Sequence, residues 1–117
     1  LMREVEAALR ALPLANEFAL AITEYEDRNF ALVDVIHPEC SKGAALAEWV
    51  VLRRLTREEV MAIGDNLNDR EMLEFAGVPV VMGNGVPGLK ALGWPETLSN
   101  DQGGVAAAIE AYALGHT

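Results

Sequence analysis

The sequence predicts an α/β chain: a helix and two strands, followed by a parallel sheet flanked by helices. Three observations carry this. Val5, Leu9 and Leu12 stand at helical spacing in the opening segment, with charges on the other face. Two runs, EFALAITEY (17–25) and FALVDVIH (30–37), read as strands separated by the turn-like EDRN. After residue 42, short continuous apolar runs alternate with helical patterns, as in a sheet covered on both faces.

Each element follows from its own residues. MREVEAALRAL (2–12) is the first helix, and Pro13 stops it. HPECSKG breaks the pattern near residue 38, and Ser41 is placed to cap a helix over 42–55. Thr56 and Glu59 form a T-x-x-E capping box before the strand VMAI (60–63). Asn68 and Glu71 fit a second box opening the helix REMLEFA, which Gly77 ends. VPVVM (78–82) is the next strand, PGLKAL a short helix and ETLS a third strand. GGVAAAIEAYAL closes the chain as an Ala-rich helix. The change in pattern divides the chain into residues 1–37 and 38–117.

The 117 residues suffice for one compact domain, or one with a small appendage, and 51% hydrophobic residues are ample for a core. Eighteen acids against nine bases give a net charge of −9, which repels nucleic acid and anionic membranes in the absence of a basic patch. No apolar run reaches the length of a membrane span. The single cysteine, Cys40, allows no internal disulfide and suits the cytoplasm. Leu1 cannot initiate translation, so either residues upstream of it are expected to have been lost or a cloning scar stands at the start.

The candidate chemistry centres on GDNLND (64–69). Ligands of open parallel sheets gather beyond the carboxyl ends of the strands. Asp65 lies just past such an end, with Asn68 and Asp69 at the start of the next helix. Oxygen ligands in this arrangement suit a hard cation such as Mg²⁺, which binds through one or two carboxylates, waters and substrate phosphate. The same residue types also favour a plain turn and helix cap. An EF-hand is excluded, because Arg70 stands where that loop requires Gly. Lys42 faces the positive end of its helix dipole, which favours an anionic partner nearby; the alternative is a solvated surface lysine. GNGVPG (83–88) satisfies G-x-G-x-x-G, but Pro87 and the short helix after it weigh against a dinucleotide site. Nothing orients Cys40 and His37 as a catalytic pair, and Trp49 and Trp94 read as packing residues.

Taken together, SKG (41–43), GDNLND (64–69), VVMGNG (80–85) and SNDQGGVAAAIE (99–110) resemble, in order and spacing, the C-terminal part of Cof-type haloacid dehalogenase (HAD) superfamily phosphatases. The resemblance covers about residues 30–117. It implies a partial Rossmann-like core over 38–117, preceded by the closing helix–strand–strand of an inserted α/β cap over 1–37. It further implies a Mg²⁺-dependent phosphohydrolase acting on sugar phosphates or other small phosphorylated metabolites. On that likeness Lys42 steadies the nucleophile and the transferring phosphoryl group. Asp65 and Asp69 stand on the metal side, Asn68 supports substrate phosphate, and Asn84 lines the site.

The departure is as informative as the match. The family's D-x-D-G-T nucleophile motif is absent, as is the Ser or Thr of its second motif. Asp65 then has no partner aspartates for firm metal binding and no phospho-aspartate can form, so this chain alone is expected to be inactive. VMAI would have an uncovered edge, open to a homodimer or another chain. Two other function classes are a phosphate- or nucleotide-binding module using the Gly-rich loop, and a non-catalytic protein associating through that edge.

Overall fold

The computed structural model describes residues 1–25 and 28–114. Helix α1 (Met2–Arg10) is amphipathic, with Arg10 paired to Glu6 one turn back, and none of its residues is buried. Strands β1 (Ala19–Tyr25) and β2 (Phe30–Ile36) pair antiparallel from Ala19↔Ile36 to Tyr25↔Phe30. The Tyr25 and Phe30 rings stack at the hairpin end, 4.8 Å between centroids. Positions 26 and 27 of the expected EDRN turn lie outside the described residues.

Helix α2 (Lys42–Leu52) begins where expected, with Ser41 Oγ accepting the Ala44 N–H at 2.9 Å. It ends three residues earlier than 42–55. Arg54 enters the left-handed region at φ 56°. There the Arg54 N–H reaches Val51 O and the Leu55 N–H reaches Val50 O, the paired bonds of a Schellman stop. The Thr56–Glu59 box forms as the sequence indicates.

Strand β3 (Met61–Gly64) and strand β4 (Val78–Val81) pair in parallel, from Met61↔Val78 to Gly64↔Val81. Helix α3 (Arg70–Phe75) connects them and packs on α2. ETLS makes only one parallel bridge, Val81↔Glu96, instead of a strand. Pro95 has no N–H for a ladder, and by Ser99 the chain has entered a capped turn. After helix α4 (Pro87–Lys90), helix α5 (Gly104–Ala108) continues as a π-helical turn to Ala113.

Among the described residues, the core lies wholly in the second part of the chain. Leu73, Leu89, Val80 and Val81 have no exposed surface, and Val50, Val60, Ala62 and Ala76 join them. Trp94 packs against this cluster; Trp49 is half-exposed beneath the Arg53 guanidinium. No helix among the described residues is long and apolar enough to cross a membrane.

Candidate functional site

The parallel pair ends at Gly64, and the chain turns there because Asp69 folds its carboxylate back over the turn. Asp69 Oδ2 accepts the Asp65 N–H at 3.0 Å and the Asn66 N–H at 3.2 Å. Gly64 is required for this approach: a Cβ on it would lie 2.6 Å from the Asp69 Cβ. The capping box is therefore Asn66–Asp69, two residues earlier than the Asn68–Glu71 box expected from sequence. Its physical reason is local. Asn66 has extended backbone and its Oδ1 accepts the Leu67 N–H at 2.8 Å, so a 3₁₀ turn over 67–69 precedes α3.

Lys42 arrives from the other side of the site. Gly43 lets α2 press on α3 so closely that a Cβ there would lie 2.7 Å from the Glu71 Cβ. That contact brings Lys42 Nζ to Asp69 Oδ1 across 27 residues of sequence, at 2.5 Å. The anionic partner sought for a lysine at the positive end of a helix dipole is thus Asp69. Asp69 is 4% exposed and both of its oxygens are engaged.

Asp65 is exposed, and its main chain is fixed at both ends, since Val86 N–H donates to Asp65 O at 2.9 Å. That bond comes from the GNGVPG loop, so the loop braces the site from below. Partial burial, then the neighbouring Asp69 carboxylate, pushes the Asp65 carboxyl above its ordinary range, while Lys42 pulls it the other way. Its negative charge is incompletely compensated, a condition a cation would relieve.

The other two candidate residues differ. Asn68 is half-buried beside Asp69, with no side-chain hydrogen bond among the described residues. Asn84 uses its Oδ1 to hold the Asn100 N–H at 2.8 Å, clamping the Gly-rich loop to the turn before α5. No group of three or more His, Cys, Asp or Glu side chains among the described residues could hold a metal. Mg²⁺ keeps several waters and binds through one or two carboxylates. Asp65 fits one side of such a site, not a closed cage. Sequence reasoning missed Asn66, whose side chain reaches the backbone of β1. The signal available was an Asn three residues before Asp69, the spacing of a box with Asp in the Glu position.

Comparison with known proteins places the chain in a family. A family profile described as haloacid dehalogenase-like hydrolase matches residues 7–109. A Streptococcus pyogenes relative is 47% identical over 110 residues, 94% of this chain and 40% of the relative. The 5-amino-6-(5-phospho-D-ribitylamino)uracil phosphatase YitU of Bacillus subtilis is 36% identical over 81 residues, 69% of this chain and 30% of that protein. Among solved structures, a haloacid dehalogenase-like hydrolase from B. subtilis superposes with a TM-score of 0.77 at 30% identity. That match covers 97% of this chain and 38% of the other. The chain therefore spans well under half the length of the relatives it matches. With the α/β fold and the profile match over most of its residues, it belongs to the haloacid dehalogenase-like hydrolases.

Proposed function

We propose that this chain supplies one side of a phosphohydrolase active site for small phosphate esters, sugar phosphates among them. One observation carries the reading: Lys42 and the Asp65–Asp69 loop, far apart in sequence, meet at the carboxyl end of a parallel strand. Phosphoryl transfer asks mainly for positioning and charge neutralisation. Lys42 provides a fixed cation for phosphate oxygens, and Asn68 an amide donor beside it. Asp69 sets the loop and holds Lys42 from the metal side. Asn84, expected to line the site, instead supports it by bracing the Gly-rich loop. Asp65 would hold Mg²⁺, which when bound supplies charge neutralisation of the phosphate. The substrate named for YitU, a phosphorylated ribityl compound, supports a small phosphorylated metabolite as the class of ligand.

On this reading residues 1–37 are the closing part of a cap and residues 38–117 part of the catalytic core of a cytoplasmic enzyme. The 117 residues contain no D-x-D-G-T segment, so no nucleophile is present among them. With p-nitrophenyl phosphate and Mg²⁺, this chain should give no turnover above an Asp65→Ala control. Mn²⁺ with inorganic phosphate should broaden the NMR signals of Asp65, Asn68 and Lys42, and Asp65→Asn should abolish the effect. Broadening unchanged in that variant would refute the site; metal-dependent turnover would refute the inactivity.

The Gly-rich loop offers less to a nucleotide. Gly85 and Val86 already give their N–H groups to Met82 O and Asp65 O, and α4 has four residues. Self-association has one specific observation in its favour. Strand β3 pairs on one side only among the described residues, so its other edge would accept a second copy or another chain. A monomeric sedimentation profile at high concentration would remove that reading.

A further inference from the structure

Asn66 is where the two parts of the chain meet through polar atoms. Its Nδ2 donates to Glu24 O at 2.8 Å, and its Oδ1 accepts the Glu24 N–H at 3.0 Å. A primary amide carries the donor and acceptor of a peptide group, so this pair completes one rung of a β-ladder on the free edge of β1. Among the described residues, no other hydrogen bond or ion pair joins residues 1–36 to residues 41–114. The buried core includes none of the described hairpin residues. Asn66 lies next to Asp65, and its backbone N–H is held by Asp69.

We propose that Asn66 is a positioning residue that locks the hairpin edge at Glu24 to the Asp65–Asp69 loop. Docking of the hairpin and ordering of the loop then become one event. The coupling half of this inference rests on the loop being the metal and phosphate site. A ligand that orders the loop tightens the hairpin's hold, and by linkage a docked hairpin strengthens binding of that ligand to the same factor.

Asn66→Ser separates this role from simple capping. Serine is as good an N-cap as asparagine, so the N–H groups that open the turn over 67–69 keep a side-chain acceptor, but the shorter hydroxyl cannot make both bonds to Glu24. Amide hydrogen exchange on the whole chain, read by NMR, should show the Glu24 amide exchanging at least about tenfold faster in the variant. Amides bonded between β1 and β2, and the melting temperature of the core, should stay near the parent's. Unchanged Glu24 exchange in Asn66→Ser would overturn the lock. For the coupling, Mg²⁺ with inorganic phosphate should slow Glu24 exchange in the parent and leave it unchanged in the variant. The variant should also bind the pair roughly 5-fold or more weakly, the lower end of ordinary coupling. Binding in the parent with no response at Glu24 would overturn the coupling alone. No binding in the parent would overturn the site reading and the coupling with it, while the ligand-free exchange comparison still decides the lock.

Discussion

Residues 1–37 and residues 41–114 carry regular structure in similar measure, yet different forces hold them. The first part has the longer strands, seven residues each and paired throughout. None of its described residues is buried, and Phe30, Leu32 and Val35 are about half exposed. The second part has strands of four residues, but its central side chains have no exposed surface. Backbone hydrogen bonds add little net stability, because the unfolded chain makes them to water. Burial adds more, and an isolated hairpin is marginal in water. The candidate site sits at the edge of the buried part, where a metal or phosphate loop can be held rigidly.

The largest expected effect tests this contrast directly. Leu73→Ala should destabilise the chain by about 3 kcal/mol, the usual cost of a cavity in a closed core. Leu32→Ala, on the exposed strand, should change stability by less than about 0.5 kcal/mol. Urea titration followed by the fluorescence of Trp49 and Trp94, both in the second part, measures the two together. Equal losses would break the comparison. Gly64→Ala comes next, at about 2 kcal/mol, because the new methyl must displace Asp69 from the strand end. Its melting temperature should fall, and the Lys42 ammonium signal should lose the signature of its ion pair. A variant that melts like the parent would show the loop to be more yielding than the core beneath it.

The same contrast explains what was legible in the sequence. Elements defined by periodicity or by caps stood out: α1, both hairpin strands, the Ser41 cap and the Thr56–Glu59 box. The errors fell where tertiary contacts choose between near-equal local options. Arg54 ends α2 in a conformation usually left to glycine, so no residue type announced the stop. ETLS has a strand's composition, but Pro95 and the Ser99 turn reduce it to one bridge. In the candidate site, sequence spacing singled out Lys42, Asp65 and Asp69, which the fold does bring together. The division of labour was not legible: Asp69 is enclosed by Lys42 and two backbone amides, and Asp65 is left outward. Asn66's reach to Glu24 spans 42 residues of sequence, and no local pattern encodes a contact of that range.

The smallest expected effect asks whether Asp65 is held at a cost to the fold. Its carboxyl is raised above the ordinary range, so the folded chain binds the proton more tightly than the unfolded one. That contribution to stability is present at acid pH and is lost as pH rises through the folded value. At pH 7 the ionised carboxylate is therefore a mild burden on the core it borders. Asp65→Asn cannot ionise, and should be more stable than the parent at pH 7. The gain should shrink as pH falls, and vanish below about pH 4, where the unfolded parent also carries the proton. Because the side chain is exposed, solvent screening limits the gain to a few tenths of a kcal/mol, or roughly 1–2 °C in melting temperature. Added Mg²⁺ should reverse the order, since a cation that binds only the folded parent stabilises it by mass action. If Asp65→Asn melts below the parent at neutral pH without metal, the loop carboxylate is part of the scaffold. If it melts above, Asp65 is kept for a ligand at the expense of the fold, as a functional residue at the edge of a rigid core would be.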